Sequence, residues 1–184
     1  VVSKFRLRQV AQQLHHGAVI AYPTEAVYGL GCDPLNEAAV KRLLALKSRP
    51  AEKGLILIAA NFEQVSIFIK PIPTKIKDKL KTSWPGPVTW LLPALEAVPH
   101  WLRGDSERIA VRVSDHPVVR EICDQFGGAI VSTSANPAGK NPSITAFKVN
   151  AYFGRELPVI HGRLGGLSAT TPILDALTGE VVRG

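Results

Sequence analysis

The sequence predicts one α/β domain over residues 1–184, with a mixed, mostly interior sheet and helices flanking it. Short apolar runs alternate along the chain with amphipathic stretches of helical period, the order expected of a sheet covered by helices. The runs Gly54 to Ala59 and Ala129 to Val131 are continuously apolar, as in strands covered on both faces. Hydrophobic residues make up 46% of the 184 and charged residues 20%, which suits a single core without metals or disulfide staples.

Each element has a local cause. Ser3 caps a first helix carrying Phe5, Leu7, Val10, Ala11 and Leu14, and Gly17 ends it. Ala18 to Tyr22 is a strand that runs straight into Pro23-Thr24-Glu25. Asn36 caps a second helix, which stops near Lys47 because Pro50 disfavours helical geometry at Arg49. After the Gly54 to Ala59 strand come a helix of about eight residues from Phe62 and another from Thr74 to Ser83, broken by Trp84-Pro85-Gly86-Pro87. Val88 to Leu92 is a strand. So is Arg108 to Val113, where strict alternation from Arg108 to Arg112 marks one polar face. A helix follows Asp115 and Pro117, then a strand from Ala129 to Ser132, a polar loop from Asn136 to Ser143, one more helix, and strands near Val159 and Ile173. The polar clusters therefore fall at strand ends, where open α/β sheets bind ligands.

The net charge of +7 and pI of about 9.7 favour a polyanionic partner, nucleotide or RNA. Cys32 and Cys123 form no CxxC pair, and both are expected to be reduced thiols of a cytoplasmic protein. No secretory signal opens the chain, and no apolar run spans a membrane. The chain contains no methionine, even at position 1, which points to a processed or trimmed start.

Two polar motifs carry the chemistry. Lys47-Ser48-Arg49-Pro50 reads either as a solvated helix end or as a pair of fixed cations for phosphate oxygens, one a point charge and one a planar fork. Ser132-Thr133-Ser134-Ala135-Asn136 reads either as a turn satisfying its own backbone or as hydroxyls and an amide lining a phosphate cleft. Gly139-Lys140 fails the P-loop pattern, which requires glycine where Ser134 stands and Ser or Thr where Asn141 stands. No G-x-G-x-x-G, H-E-x-x-H or G-x-S-x-G is present, and the five histidines show no metal spacing. Nothing in the sequence shows whether Glu25 and Asp175 meet as a carboxylate pair. Lys75, Lys77, Lys79 and Lys81 flank Ile76 and Leu80 on a helix, a solvated face or a salt-sensitive RNA contact.

The stretches YPTEAVYGLGCDP, KSRP, GLILIAAN, WPGPVT, AVRVSDHP, STSANPAG and DALTGEVVRG, in this order and spacing, resemble the YrdC-type threonylcarbamoyl-AMP synthases across nearly the whole chain. The resemblance implies a twisted, open α/β sheet with a concave basic face, in the single-domain bacterial form. It implies that L-threonine, bicarbonate or CO2, and ATP with Mg2+ give threonylcarbamoyl-adenylate and pyrophosphate. A separate transferase complex then modifies the adenosine beside the anticodon of tRNA. It assigns Lys47 and Arg49 to the triphosphate as the catalytic cations, Ser132, Ser134 and Asn136 to a facing loop, and Arg183 to the nucleotide. Thr24, Arg112 and Thr171 are assigned to threonine, with Thr171 standing where relatives often have Ser. The Mg2+ is expected mainly on ATP phosphates, with no direct protein ligand. The competing reading is an RNA-binding or ribosome-maturation protein that uses the same basic cleft without catalysis.

Overall fold

Polar caps start helices where the sequence places them. Ser3 accepts from Arg6 N at the head of α1 (Lys4–His15), Asn36 from Ala39 N at α2 (Glu37–Lys47), and Thr145 from Lys148 N at α7 (Ala146–Phe153). These helices belong to a computed structural model that describes residues 2–168 and 170–183, with the backbone but not the side chain of Arg183. The remaining helices are α3 (Phe62–Ser66), α4 (Thr74–Lys81), α5 (His100–Arg103) and α6 (Pro117–Phe126). The strands are β1 (Ile20–Pro23), β2 (Tyr28–Gly31), β3 (Ile56–Ala59), β4 (Thr89–Pro93), β5 (Arg108–Val113), β6 (Ile130–Ser134), β7 (Ile173–Asp175) and β8 (Val181–Arg183).

All eight strands join one sheet in the order β1-β2-β6-β3-β5-β4-β7-β8. The β3–β5 and β4–β7 pairs are parallel and the other pairs antiparallel, so the sheet is mixed as expected. Alternation along each strand divides the side chains between two faces. Ile20, Tyr22, Ile58 and Ile130 pack against Leu7, Val10 and Leu14 of α1 and Val119, Ile122 and Cys123 of α6. Ala21, Leu57, Val111 and Val131 belong to the larger core on the other face, with Val40 and Leu43 of α2.

Six features differ from expectation. Strand β2 was not foreseen, because a segment containing Gly29 and Gly31 has weak strand propensity. Tertiary packing forms it: a Cβ at Gly31 would stand 2.6 Å from Val131 O and 2.8 Å from the Tyr22 ring, so only glycine lets β2 slip between β1 and β6. Helix α3 spans five residues rather than about eight, since Phe68 and Ile69 leave it to enter the core and Ile69 bridges to Ala94. Strand β6 continues through Ser134, so Thr133 and Ser134 sit in the sheet and not on the following loop. Val159 makes a single bridge to Ala21 rather than a strand, while α5 and β8 are additional elements.

Candidate active site

The sheet face covered by α1 and α6 is only partly covered. In register, Ile58 stands beside Arg112 and Ile130, while one step along, Ile56 stands beside Ala110 and Ser132, and Ala110 beside Leu91. Ile58 and Ile130 lie under the helices; Ile56, Ala110, Leu91 and Ser132 form the floor of an open cavity of about 410 Å³. Arg49, Lys53, Arg103 and Arg108 bring four cations to its lining. A second, narrower cavity of about 60 Å³ adjoins it, lined by Thr24, Tyr28, Arg112 and Thr171. Both cavities are bordered by Ser132, Thr133 and Ser134, so the β6 hydroxyls form the shared wall.

The two arginines on the polar face of β5 are each matched to a carboxylate. Arg108 Nη1 pairs with Asp175 Oδ2 of β7, and Asp175 Oδ1 also accepts from Leu177 N and Thr178 N. Arg112 Nη2 lies 3.4 Å from Glu25 Oε2, its Nη1 donates to Thr171 Oγ1 at 2.8 Å, and Ser114 Oγ donates to Glu25 Oε1 at 2.6 Å. The question the sequence left open is thus answered by charge: Glu25 and Asp175 do not form a dyad, because each is engaged by its own arginine.

Helix α2 ends in a way that aims Arg49. Ser48 adopts the left-handed conformation (φ 49°), the one non-glycine residue among those described to do so, and Arg49 N closes onto Leu44 O at 3.0 Å. The chain leaves the helix axis there, and Arg49 Nη2 donates to Gly54 O at 2.9 Å while the residue lines the wide cavity. Lys47 behaves differently. It is only 4% exposed, lines neither cavity, and its ammonium donates to Ser134 O and, at 2.7 Å, to Asn136 O. Burial lowers its pKa to about 8, and the neighbouring Arg49 charge acts in the same direction. The two carbonyls favour the charged form, so Lys47 is a charged pin between α2 and the end of β6 at neutral pH.

Asn136 also lines neither cavity; its Nδ2 donates to Pro137 O and Lys140 O and shapes the loop. Thr24 Oγ1 donates to Val27 O at 2.7 Å, which fixes the β1–β2 turn. A strap over residues 162–168 is tied to the β1–β2 segment: Tyr28 Oη donates to Gly162 O, Gly165 N donates to Thr24 O, and Leu167 N to Glu25 O. Gly165 permits this approach, since a Cβ there would stand 2.9 Å from Glu25 Cα. The Arg183 side chain lies outside the described residues; its backbone pairs with Ile173.

Of the sequence-assigned residues, Arg49, Ser132 and Ser134 meet at the wide cavity, and Thr24, Arg112 and Thr171 meet at the narrow one. Lys53, Arg103 and Arg108 were missed. Arg108 had a visible signal, because it lies four residues before Arg112 and shares its strand face. Lys53 sits in the 3₁₀ turn Ala51–Lys53 just after the KSRP motif, but Arg103 reaches the cavity from α5 and had no local signal. The lysines of α4 line neither cavity; Lys75, Lys77 and Lys81 are exposed, and Lys79 lies 4.9 Å over the Trp90 ring. Both cysteines are buried, and burial pushes the Cys32 thiol up to about 12 and the Cys123 thiol well above its usual range, so neither is a nucleophile. Among the described residues no group of three or more His, Cys, Asp or Glu is arranged to hold a metal ion.

Comparison with known proteins gives a consistent picture. The family model Sua5_yciO_yrdC, described as telomere recombination, matches residues 12–183. The threonylcarbamoyl-AMP synthase of Pseudomonas putida KT2440 is 52% identical over 184 residues, covering 100% of this chain and 99% of its own length. That of Halorhodospira halophila is 50% identical over 180 residues, covering 97% and 94%. The crystal structure of P. abyssi Sua5 complexed with L-threonine superposes with a TM-score of 0.87 at 33% identity; the match covers 95% of this chain and 52% of that one, so the chain spans about half of Sua5.

Proposed function

This chain belongs to the Sua5/YciO/YrdC family, and we propose that it is an L-threonylcarbamoyladenylate synthase, joining L-threonine, bicarbonate or CO2, and ATP with release of pyrophosphate. The observation that carries this reading is the pair of adjoining cavities on one sheet face. One is wide and cationic, the other narrow with a buried arginine, and the β6 hydroxyls stand between them. A polyphosphate suits the first and the carboxylate of a small amino acid the second.

The chemistry follows from where the charges lie. The threonine amine adds to CO2 with loss of a proton and becomes a carbamate. A carbamate oxygen attacks the α-phosphorus, a P–O bond forms, and the bond to the departing pyrophosphate breaks. The carbamate is already an anion, so this step requires no general base. Negative charge grows on pyrophosphate, and Arg49, with Lys53 and Arg108, is positioned to stabilise it. Lys47 holds the end of β6 with two of its three N–H groups, and so sets the Ser134 wall against which the phosphates lie. Asn136 supports the same loop, and Arg183 is assigned to the nucleotide. Mg2+ enters as part of the MgATP substrate, where it neutralises phosphate charge; the Ser132 and Ser134 hydroxyls are oxygen donors of the kind a hard cation accepts.

At the narrow end, Arg112 takes the threonine carboxylate, with Thr24 and Thr171 beside it. The product is consumed by a separate transferase acting on tRNA, which accords with a cytoplasmic protein; no helix among the described residues is long and apolar enough to cross a membrane. RNA contact, if it accompanies synthesis, belongs to the exposed lysines of α4 and not to the cleft. The deciding experiment incubates purified protein with ATP, Mg2+, L-threonine and bicarbonate. Pyrophosphate release dependent on both threonine and bicarbonate is expected. ADP and phosphate as products, or release independent of threonine, overturns the proposal.

A further inference from the structure

Among the described residues, Glu25 is the one buried carboxylate beside the narrow cavity for which the reaction above has no task. It is 7% exposed and does not line the cavity; it stands behind Arg112, which does. Its Oε1 is held at 2.6 Å by Ser114 Oγ, and Ser114 is itself anchored, with its N donating to Ala59 O at 2.9 Å and its Oγ accepting from His116 N. Its Oε2 faces Arg112 Nη2 at 3.4 Å and accepts no hydrogen bond among the described residues. Its backbone carbonyl is tied to the strap through Leu167 N.

Arg112 is in the complementary condition. Nη1 is committed to Thr171 and Nη2 faces Glu25, while Nε is buried with no hydrogen-bond partner among the described residues. A guanidinium seized on two sides has one orientation, and a buried unmade donor favours whatever ligand supplies an acceptor. We infer that Glu25 is a positioning residue of the threonine site: acting through Arg112, with Ser114 as its anchor, it sets the guanidinium to receive an α-carboxylate, and so makes the enzyme select a free amino acid over an uncharged amino-acid derivative. The role rests on the proposed synthase reading. A structural role alone, charge neutralisation of Arg112 for folding, makes a different prediction, because it weakens every ligand alike.

The test compares L-threonine with L-threoninamide, which keeps the amine, hydroxyl and methyl and loses the charged carboxylate. Pyrophosphate release is followed for wild type, Glu25→Gln and Ser114→Ala, with melting temperatures measured alongside. Wild type should prefer threonine. Glu25→Gln removes the anion beside Arg112 and leaves a neutral amide that fixes the guanidinium more weakly, and should lower kcat/KM for threonine by about tenfold or more, with KM for ATP within about twofold and the threoninamide value little changed. The preference for threonine over threoninamide therefore collapses. Ser114→Ala keeps the charge and removes the anchor, and should shift the same ratio in the same direction by a smaller factor; it decides the matter alone if Glu25→Gln does not fold. Equal losses for threonine and threoninamide, or an unchanged ratio in a folded variant, overturn the positioning role while leaving the synthase reading intact. Absence of threonine-dependent release from wild type overturns both.

Discussion

The two ends of strand β5 solve one problem in opposite ways. At the Arg108 end the cavity is wide, the arginine side chain is 36% exposed, and its carboxylate partner Asp175 is further satisfied by two backbone N–H groups. At the Arg112 end the cavity is small, both members of the ion pair are under 10% exposed, and the pair is held by two further side chains, Thr171 and Ser114. An open site with several loosely arranged cations suits a polyanion whose own charges are spread over many oxygens. A narrow site with one oriented arginine suits a small zwitterion read by shape and hydrogen bonding. Four residues of strand separate them, so the reacting groups of two substrates can be held on one rigid element.

The largest expected effect breaks the comparison directly. Arg112→Ala leaves Glu25 buried opposite no charge, and removing one partner of a buried pair costs about 3–5 kcal/mol. Arg108→Ala leaves Asp175 with its two backbone donors and should cost far less. Urea denaturation of both variants measures the gap; equal destabilisation would mean the two ends are not energetically distinct.

Next come the phosphate-end cations. Arg49→Lys loses the planar fork, and Lys47→Ala removes the pin from the end of β6. Each should cost about 2–4 kcal/mol of transition-state stabilisation, seen in kcat/KM for ATP, with KM for threonine close to wild type for Arg49→Lys. A Lys47→Ala protein that melts early yet keeps its specific activity would confine Lys47 to the helix end. Lys47 also gives this end a pH signature. With its pKa lowered to about 8 from 10.5, the ammonium deprotonates near pH 8, and turnover should fall through that pH. Stability moves the other way. Between about 8 and 10.5 the unfolded chain binds more protons at this residue than the folded one, so this residue's contribution to stability rises with pH. A pH–rate profile beside thermal melts across the same range checks both signs.

The narrow end is sharpened by amino-acid choice. A buried group left without its hydroxyl partner costs about 1–3 kcal/mol, so valine should fall roughly tenfold to more than a hundredfold below threonine. Serine lacks one methyl, worth about 1 kcal/mol, and should remain a poor but detectable substrate. Competition measured as kcat/KM tests the order threonine, serine, valine; valine above serine would mean the pocket reads shape rather than the hydroxyl. The smallest effect on synthesis belongs to α4. Replacing Lys75, Lys77, Lys79 and Lys81 together by Gln should change adenylate formation by less than about twofold while weakening any RNA binding and its salt dependence. A folded quadruple variant without synthase activity would put α4 in the cleft.

Local chemistry made much of this molecule legible. Helix starts at Ser3, Asn36 and Thr74, the stop at Lys47, and strands β3, β4 and β5 lie within a few residues of where caps, prolines and apolar runs put them, because those signals act over one or two turns of chain. The alternation from Arg108 to Arg112 placed both arginines on one face, since side-chain direction in a strand has period two. The KSRP and STSAN motifs picked out segments that border the cavities, though not which of their residues face them.

What the tertiary structure alone decided is partnership. Lys47 and Arg49 are two residues apart, yet the left-handed Ser48 sends one into the protein against the β6 carbonyls and the other into the cleft. Strand β2 exists because Gly31 fits between Tyr22 and Val131, a contact no propensity encodes. Glu25 meets Arg112 and Asp175 meets Arg108 across 87 and 67 residues of sequence. Sequence determines what each segment is able to offer, because capping, periodicity and charge are local. Which charge faces which, and how much water remains between them, depends on sheet order and on which part of a face the helices leave open, and those are properties of the packed chain.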